Sequence, residues 1–230
     1  MSEPWLMGGV PYEGGESYFY NLRGFARRCG GCSGCSACCR GMGSSILLDP
    51  LDAARLSIGT DKTFEGMVNE EIELTMTDGV ILPALRLSGE EESCPFLNEK
   101  GRCSIHAYRP GICRIFPLGR YYEEDSFRYF LQVHECVRKA RYKIKVKQWI
   151  DTPFPARYDR YVCDWHFFIK ALGEKMPEFS EKEQSQASMY VLKLFYSKSY
   201  GISPEGDFYT DFYDRFYPRL DEARDVLEIG

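Results

Sequence analysis

The run Cys29-x2-Cys32-x2-Cys35-x2-Cys38-Cys39 constrains this chain more than any other stretch of it. Two residues between cysteines let successive sulfurs converge on one point. The intervening Gly30, Gly31, Ser33, Gly34, Ser36 and Ala37 are small enough for the backbone to wrap that point. Glycine reaches the positive φ that tight loops use, and inward-turned backbone N–H groups stabilise thiolate charge. Disulfides suit the run poorly, because five crowded cysteines always leave one unpaired. Thiolates gathered round a metal can use them all.

Four further cysteines, Cys94, Cys103, Cys113 and Cys136, fall at hairpin or turn positions. With Cys32, Cys35, Cys38 and Cys39 they supply thiols for two four-ligand centres, or for one centre and a redox set. The adjacent Cys38 and Cys39 project differently and serve separate centres more easily than one tetrahedral ion. Known spacings do not apply directly. A two-cluster ferredoxin needs C-x2-C-x2-C-x3-C-P, where this chain has Cys38-Cys39. Zinc ribbons need two C-x2-C pairs, and Cys94 and Cys103 stand too far apart to be one. Zinc and iron–sulfur both accept all-thiolate ligation. Cysteine density, without histidine at ligand spacing, favours an iron–sulfur centre of the 4Fe-4S type, with zinc as the alternative. His106 and His134 each read either as ligands or as surface residues. Cys29 reads either as a replacement ligand or as a free thiol beside the centre, and Cys163 as a small buried apolar residue inside a helix.

At 230 residues the chain can bury a core without staples. Residues 1–28 read as a Gly- and aromatic-rich irregular extension, 29–150 as the cysteine-cluster metal-binding domain and 151–230 as an aromatic-rich helical region. Asp49-Pro50 opens a helix with Leu51, Ala54, Leu56 and Ile58 as its apolar positions. Asp78-Gly79 turns a hairpin over 72–87, and Asn98–Gly101 turns a second between Cys94 and Cys103. A helical turn is expected over 106–113, a strand pair over 118–134, and an edge strand over 143–147 with its lysines outward. Tyr158, Tyr161, Val162, Trp165, Ile169 and Leu172 share a helical face. Ser180 and Glu183 form a capping box for a helix reaching about Tyr200. Phe208, Phe212 and Phe216 mark a last helix that Pro218 ends or kinks. The fold class is α+β: an irregular cysteine-rich core with short antiparallel hairpins, packed by C-terminal helices.

The net charge of −5 carries no basic stripe, so no nucleic-acid partner is expected. No stretch reaches the roughly 18 apolar residues of a membrane span, and the first residues lack the pattern of a secretory leader. A cytoplasmic protein is expected, in which thiols stay reduced. No Walker loop, nucleophile elbow or HExxH is present.

Cys32-Ser-Gly-Cys35-Ser-Ala-Cys38-Cys39-Arg40, then Cys94-Pro-Phe-Leu, then Gly101-Arg-Cys103-Ser-Ile-His-Ala-Tyr-Arg109-Pro110-Gly-Ile-Cys113-Arg114-Ile-Phe-Pro117, with Cys136 beyond, resembles the YkgJ-type CxxCxxCC family. That family is described as a zinc- or iron-chelating domain with eight characteristic cysteines. The likeness covers about residues 29–150 and leaves Cys29 and Cys163 outside the pattern. It implies metal binding through Cys32, Cys35, Cys38, Cys39, Cys94, Cys103, Cys113 and Cys136. A relative carrying such a region, the flagellin lysine N-methylase, makes protein modification one implied role. The expectation is therefore an iron–sulfur protein with a redox or protein-modifying role and a protein partner or substrate. A structural zinc-binding interaction module without catalysis is the alternative. Arg109 and Arg114 read as holders of an anionic substrate, as counter-charges to the thiolates, or as turn residues paired with acids. The aromatic set from Tyr190 to Tyr217 reads as core packing or as a partner surface.

Overall fold

The computed structural model describes residues 9–11, 18–20, 25–29, 35–132, 140–150, 152–201 and 206–229, with the backbone alone at 9–11, 18–20, 25–29 and 140–144. Three strands, β1 (Gly9–Pro11), β2 (Tyr18–Tyr20) and β3 (Phe25–Cys29), lie in and just beyond the stretch expected to be irregular. Helix α1 (Pro50–Thr60) begins where its cap predicts. The Asp52 N–H donates to Asp49 Oδ1 at 2.8 Å, the Asp49 N–H donates back to Asp52 Oδ2 at 3.4 Å, and Pro50 fills the first turn. Leu51 and Leu56 are buried, whereas Ile58 is 47% exposed. A single turn, α2 (Phe64–Met67), follows, capped by Thr63.

Strands β4 (Ile72–Thr77) and β5 (Val80–Leu85) form the hairpin expected at Asp78-Gly79. Both turn residues are left-handed, with φ of 49° and 82°, as a two-residue turn between twisted strands requires. The β5 face packs against the later helices. Helix α3 (Gly111–Ile115) precedes a second hairpin of β6 (Leu118–Glu123) and β7 (Ser126–Leu131), which joins β1 and β2 in a sheet of order β1-β2-β7-β6. Strand β8 (Ala140–Lys145) pairs antiparallel with β3. The edge strand expected over 143–147 therefore stops at Lys145, and α4 (Val146–Ile150) takes over. Val146 and Ile150 are 0% and 1% exposed while Gln148 between them is exposed; a strand would put all three on one face, whereas a helix turns Gln148 away from the other two.

Helix α5 (Pro155–Lys175) buries the face expected of it, including Tyr161, Trp165 and Leu172. Helix α6 (Glu181–Leu192) starts at the Ser180–Glu183 capping box. It passes into a π turn at Lys193–Ser197, short of the expected end, and that turn sends Phe195 and Tyr196 inward. Helix α7 (Phe208–Leu227) continues through Pro218, so the proline does not end it. Phe212, Tyr213 and Phe216 before the proline and Leu220, Ala223 and Leu227 after it share one buried face. Burial of that face outweighs the missing N–H and the crowded carbonyl.

The aromatic tail is core. Tyr161 and Phe216 sit 4.7 Å apart edge-to-face, and Trp165 and Phe195 sit 4.9 Å apart, geometries that add to area burial. Among the described residues no helix is long and apolar enough to cross a membrane. The fold is α+β, with helices dominating its C-terminal part.

Where β7 meets α5, the Tyr129 hydroxyl donates to Asp159 Oδ1 at 2.6 Å. Burial pushes the Asp159 carboxyl up to about 6 from its ordinary 3.8, against the pull of Tyr129 and Arg120. The folded state thus holds a proton that the unfolded chain releases, and this contribution to stability is lost as pH rises through about 4 to 6. Asp159→Asn should remove that slope and gain roughly 1–2 kcal/mol at pH 7 relative to the parent. Urea midpoints of both proteins across that range check it, and an equal offset at every pH would refute it.

Candidate metal centre

The cysteine loops are stitched to one another by backbone bonds. Ala37–Cys39 forms a 3-10 turn that buries no residue. Beyond it, the Cys94 N–H donates to the Cys39 carbonyl at 2.9 Å and the Gly41 N–H to Glu92 O at 3.2 Å. The expected hairpin after Cys94 is a tight turn rather than two strands. Asn98 Oδ1 accepts from the Lys100 and Arg102 N–H groups at 3.0 Å, and a single bridge joins Leu97 to Cys103. An asparagine that bonds its own backbone in this way makes the turn without needing a ladder. A Cβ at Gly101, whose φ is 66°, would lie 3.8 Å from Ser36 Oγ, so this turn lies close to the first cysteine loop.

The segment expected as one helical turn over 106–113 is two pieces, a 3-10 turn at His106–Tyr108 and then α3. Pro110 intervenes, and a residue before proline is steered out of the helical region. Helix α3 carries Cys113, and α1 anchors it: the Gly111 N–H donates to the buried Asp52 Oδ1 at 2.7 Å. A Cβ at Gly111 would lie 2.5 Å from the Tyr158 hydroxyl, so only glycine fits there. Gly111→Ala should cost about 1–3 kcal/mol as an overpacked site, and by displacing α3 it should also lower metal occupancy. Thermal midpoints with metal analysis check both effects.

Cys38, Cys39, Cys94, Cys103 and Cys113 are all free thiols, and so is Cys35. The first five influence one another electrostatically. Cys38 donates a hydrogen bond to Cys39, which together with burial pushes the Cys38 thiol up; the same bond holds Cys39 below its ordinary value against the effect of burial. Burial pushes Cys113 up, and Asp52, Cys94 and Cys38 add to the effect. Burial likewise raises Cys94 and Cys103, and each receives a backbone N–H from two residues on, Phe96 and Ile105. Arg109 opposes these rises at Cys38, Cys103 and Cys113. Its Nε is buried and without a hydrogen-bond partner among the described residues.

Cys38, Cys94, Cys103 and Cys113 resist ionisation because burial disfavours their negative charges and those charges would crowd one another. Backbone N–H groups and a guanidinium supply part of the compensation, and a bound cation would supply the rest. The donor set therefore fits a thiophilic metal. Among the described residues, no three Cys, His, Asp or Glu side chains already stand in an arrangement that holds an ion. Cys32 and Cys136 lie outside the described residues, as does His134.

His106 is largely exposed, and its slight desolvation with the neighbouring Arg109 and Arg102 pushes its imidazole down. Cys163 is buried in α5, and its Sγ–H donates to Asp125 O at 3.0 Å, away from the other thiols. For Cys29 the backbone places the residue at the end of β3, opposite Ala140. Sequence reasoning missed Asp52 as an anchor of α3. The available signal was an acid at the third helical position, which explains the cap of α1 but not the second bond to Gly111.

No curated protein and no solved structure matches the chain. Residues 31–138 match the family model CxxCxxCC, described as "Putative zinc- or iron-chelating domain". That span takes in every cysteine of the expected ligand set. Over residues 31–138, a little under half of its length, the chain is thus similar to the CxxCxxCC zinc- or iron-chelating domain.

Proposed function

We propose that Cys32, Cys35, Cys38, Cys39, Cys94, Cys103, Cys113 and Cys136 hold an iron–sulfur centre of the 4Fe-4S type in a cytoplasmic protein with a redox or protein-modifying role. The observation that carries this reading is the group Cys38, Cys39, Cys94, Cys103 and Cys113: unpaired, partly buried and mutually repelling as thiolates, with backbone N–H donors at Cys94 and Cys103. When bound, such a cluster supplies one-electron transfer, or an open iron position for a ligand. The chain's own groups act round it. The Phe96 and Ile105 N–H groups stabilise sulfur charge, Asp52 sets the position of Cys113 through α3, and Arg109 offsets negative charge. A protein-modifying role makes another protein the substrate.

Anaerobic purification with iron, sulfide and zinc analysis and Mössbauer spectroscopy tests the reading. Iron with acid-labile sulfide and visible charge-transfer absorption is expected. Colourless protein with stoichiometric zinc would overturn it in favour of a structural zinc module that meets a protein partner.

Arg109→Gln should lower the reduction potential by on the order of tens of millivolts, because removing a nearby positive charge disfavours the added electron. Protein-film voltammetry measures this, and an unchanged potential would remove Arg109 from the centre.

A further inference from the structure

The hairpin of β4 and β5 has one edge that the fold leaves bare. Residues along an antiparallel ladder turn alternately toward the partner strand and away from it. On β5 the residues turned away from β4 are Ile81, Pro83 and Leu85. The Ile81 N–H donates to Ser188 Oγ at 3.3 Å, Pro83 O accepts the Leu48 N–H at 2.9 Å, and the Leu85 N–H donates to Ile46 O at 3.0 Å. Their ladder partners Met76, Leu74 and Ile72 therefore turn away from β5. At Ile72 the edge is closed by a bridge to Val68, with the Asn69 N–H donating to Ile72 O at 2.8 Å. The N–H and C=O groups of Leu74 and Met76 meet no strand and no hydrogen-bond partner among the described residues.

The side chains of this strand run against the usual alternation. Leu74 and Met76 are 44% and 65% exposed on one face. Glu73, Thr75 and Thr77 take the other, alongside the buried Ala84, Leu82 and Val80 of β5. A strand with one face on a core ordinarily does the reverse. Natural edges are guarded by Lys, Pro or a bulge, and β4 has neither residue and an unbroken register from Ile72 to Thr77. The hairpin is also held in place. A Cβ at Gly173 of α5 would collide with the Asp78 carbonyl, and one at Gly79 would sit 3.3 Å from Met176 Cβ. An edge already fixed in its binding conformation loses little entropy when it pairs.

A row of outward N–H and C=O groups is matched by another extended backbone, and the residues say whose. The bare stretch from Glu73 to Thr77 is centred on Thr75. An identical strand, turned about a two-fold axis at Thr75, sets Leu74 opposite Met76, Thr75 opposite Thr75 and Glu73 opposite Thr77. Each Leu74–Met76 pair then exchanges both backbone bonds, so every free group on the two edges is used. Apolar side chain meets apolar side chain, and Glu73 faces no charge. Moving the axis to Leu74 would set Met76 against the closed Ile72, and moving it to Met76 would set Leu74 against the turn residue Asp78.

We propose that β4 pairs antiparallel with β4 of a second copy of this chain, centred on Thr75, joining the two hairpins into one sheet of order β5-β4-β4-β5. So short a strand pair is small beside the roughly 800 Å² per partner of stable interfaces, so the dimer forms and dissociates with concentration. The edge contains no cysteine, and the pairing stands whether or not the thiols hold metal.

The test is sedimentation of the full-length protein under reducing conditions, from about 10 µM to about 1 mM, with amide exchange followed over the same range. A monomer–dimer equilibrium is expected, and exchange at the Leu74 and Met76 amides should slow as concentration rises. The double variant Leu74→Lys, Met76→Lys sets lysine opposite lysine and should weaken the dimer about tenfold or more. Leu74→Lys with Met76→Glu sets each lysine opposite a glutamate of the other copy and should dimerise about tenfold more tightly than the double lysine. Both positions are exposed, so each variant should keep the parent's thermal midpoint when dilute. A chain that stays monomeric throughout would overturn the second copy as occupant and leave the edge to an extended segment of another protein. A dimer untouched by the double lysine, or equal dimerisation of the two double variants, would overturn the pairing at β4.

Discussion

Cys113→Ser should abolish stoichiometric metal binding and open the cysteine-bearing segments 35–45 and 92–113 while the helical core stays folded. The reason lies in where the fold keeps its apolar mass. The turn at Ala37–Cys39 buries no residue and neither does the turn at His106–Tyr108, so little hydrophobic burial holds either in place. Helices α5 and α7 by contrast bury Tyr161, Phe168, Phe212, Tyr213 and Phe216 to 1% exposure or less. A structural metal can contribute about 10 kcal/mol or more to the fold of the loops that bind it. Segments with few buried contacts open independently of the core. Cys113 sits on an element fixed by α1, so it cannot swing away and be replaced. Hydrogen exchange checks the pattern. Protection should fall sharply in the two cysteine segments, in Cys113→Ser and in chelator-treated parent protein alike, with α5 to α7 unchanged. Uniform loss of protection would mean that the centre and the core fold as one unit, and retained metal would exclude Cys113 as a ligand.

The sequence made the regular elements readable because their signals are local. Asp49-Pro50, Ser180 with Glu183, and Asp78-Gly79 each bond within a few residues, and the structure places a helix start or a turn at each. The ending expected at Pro218 and the strand expected over 143–147 do not hold, because burial across the whole fold decides both and no short window contains that information. The cysteine set was legible as spacing alone within 29–39. What joins Cys94, Cys103 and Cys113 to Cys38 and Cys39 is a backbone bond from Cys94 to Cys39 and the anchoring of α3 by Asp52, contacts between segments far apart in the chain. The buried arginines were harder still. Arg55, Arg114 and Arg120 look like surface charges in a chain with ordinary charge content, and only folding reveals them stacked among Tyr158, Tyr209 and Phe127.

Asp52→Ala should be among the most destabilising single substitutions in the protein, costing about 3–5 kcal/mol. Asp52 is 3% exposed and links two elements. Its Oδ2 accepts the Asp49 N–H at the start of α1, and its Oδ1 accepts the Gly111 N–H at the start of α3, at 2.7 Å. Alanine leaves both N–H groups buried without an acceptor, each costing roughly 1–3 kcal/mol, and opens a void where the carboxyl stood. Asp52→Asn keeps an acceptor oxygen in nearly the same volume and should cost only about 1 kcal/mol. The pair of variants thus separates the acceptor from the charge. The same displacement of α3 should carry Cys113 out of position, so Asp52→Ala protein that still folds in the cold should show reduced metal occupancy, and Asp52→Asn should not. Urea unfolding with metal analysis on both variants reads the two effects together. Equal destabilisation by alanine and asparagine would show that the Asp52 charge, not its hydrogen bonds, holds α3 against α1.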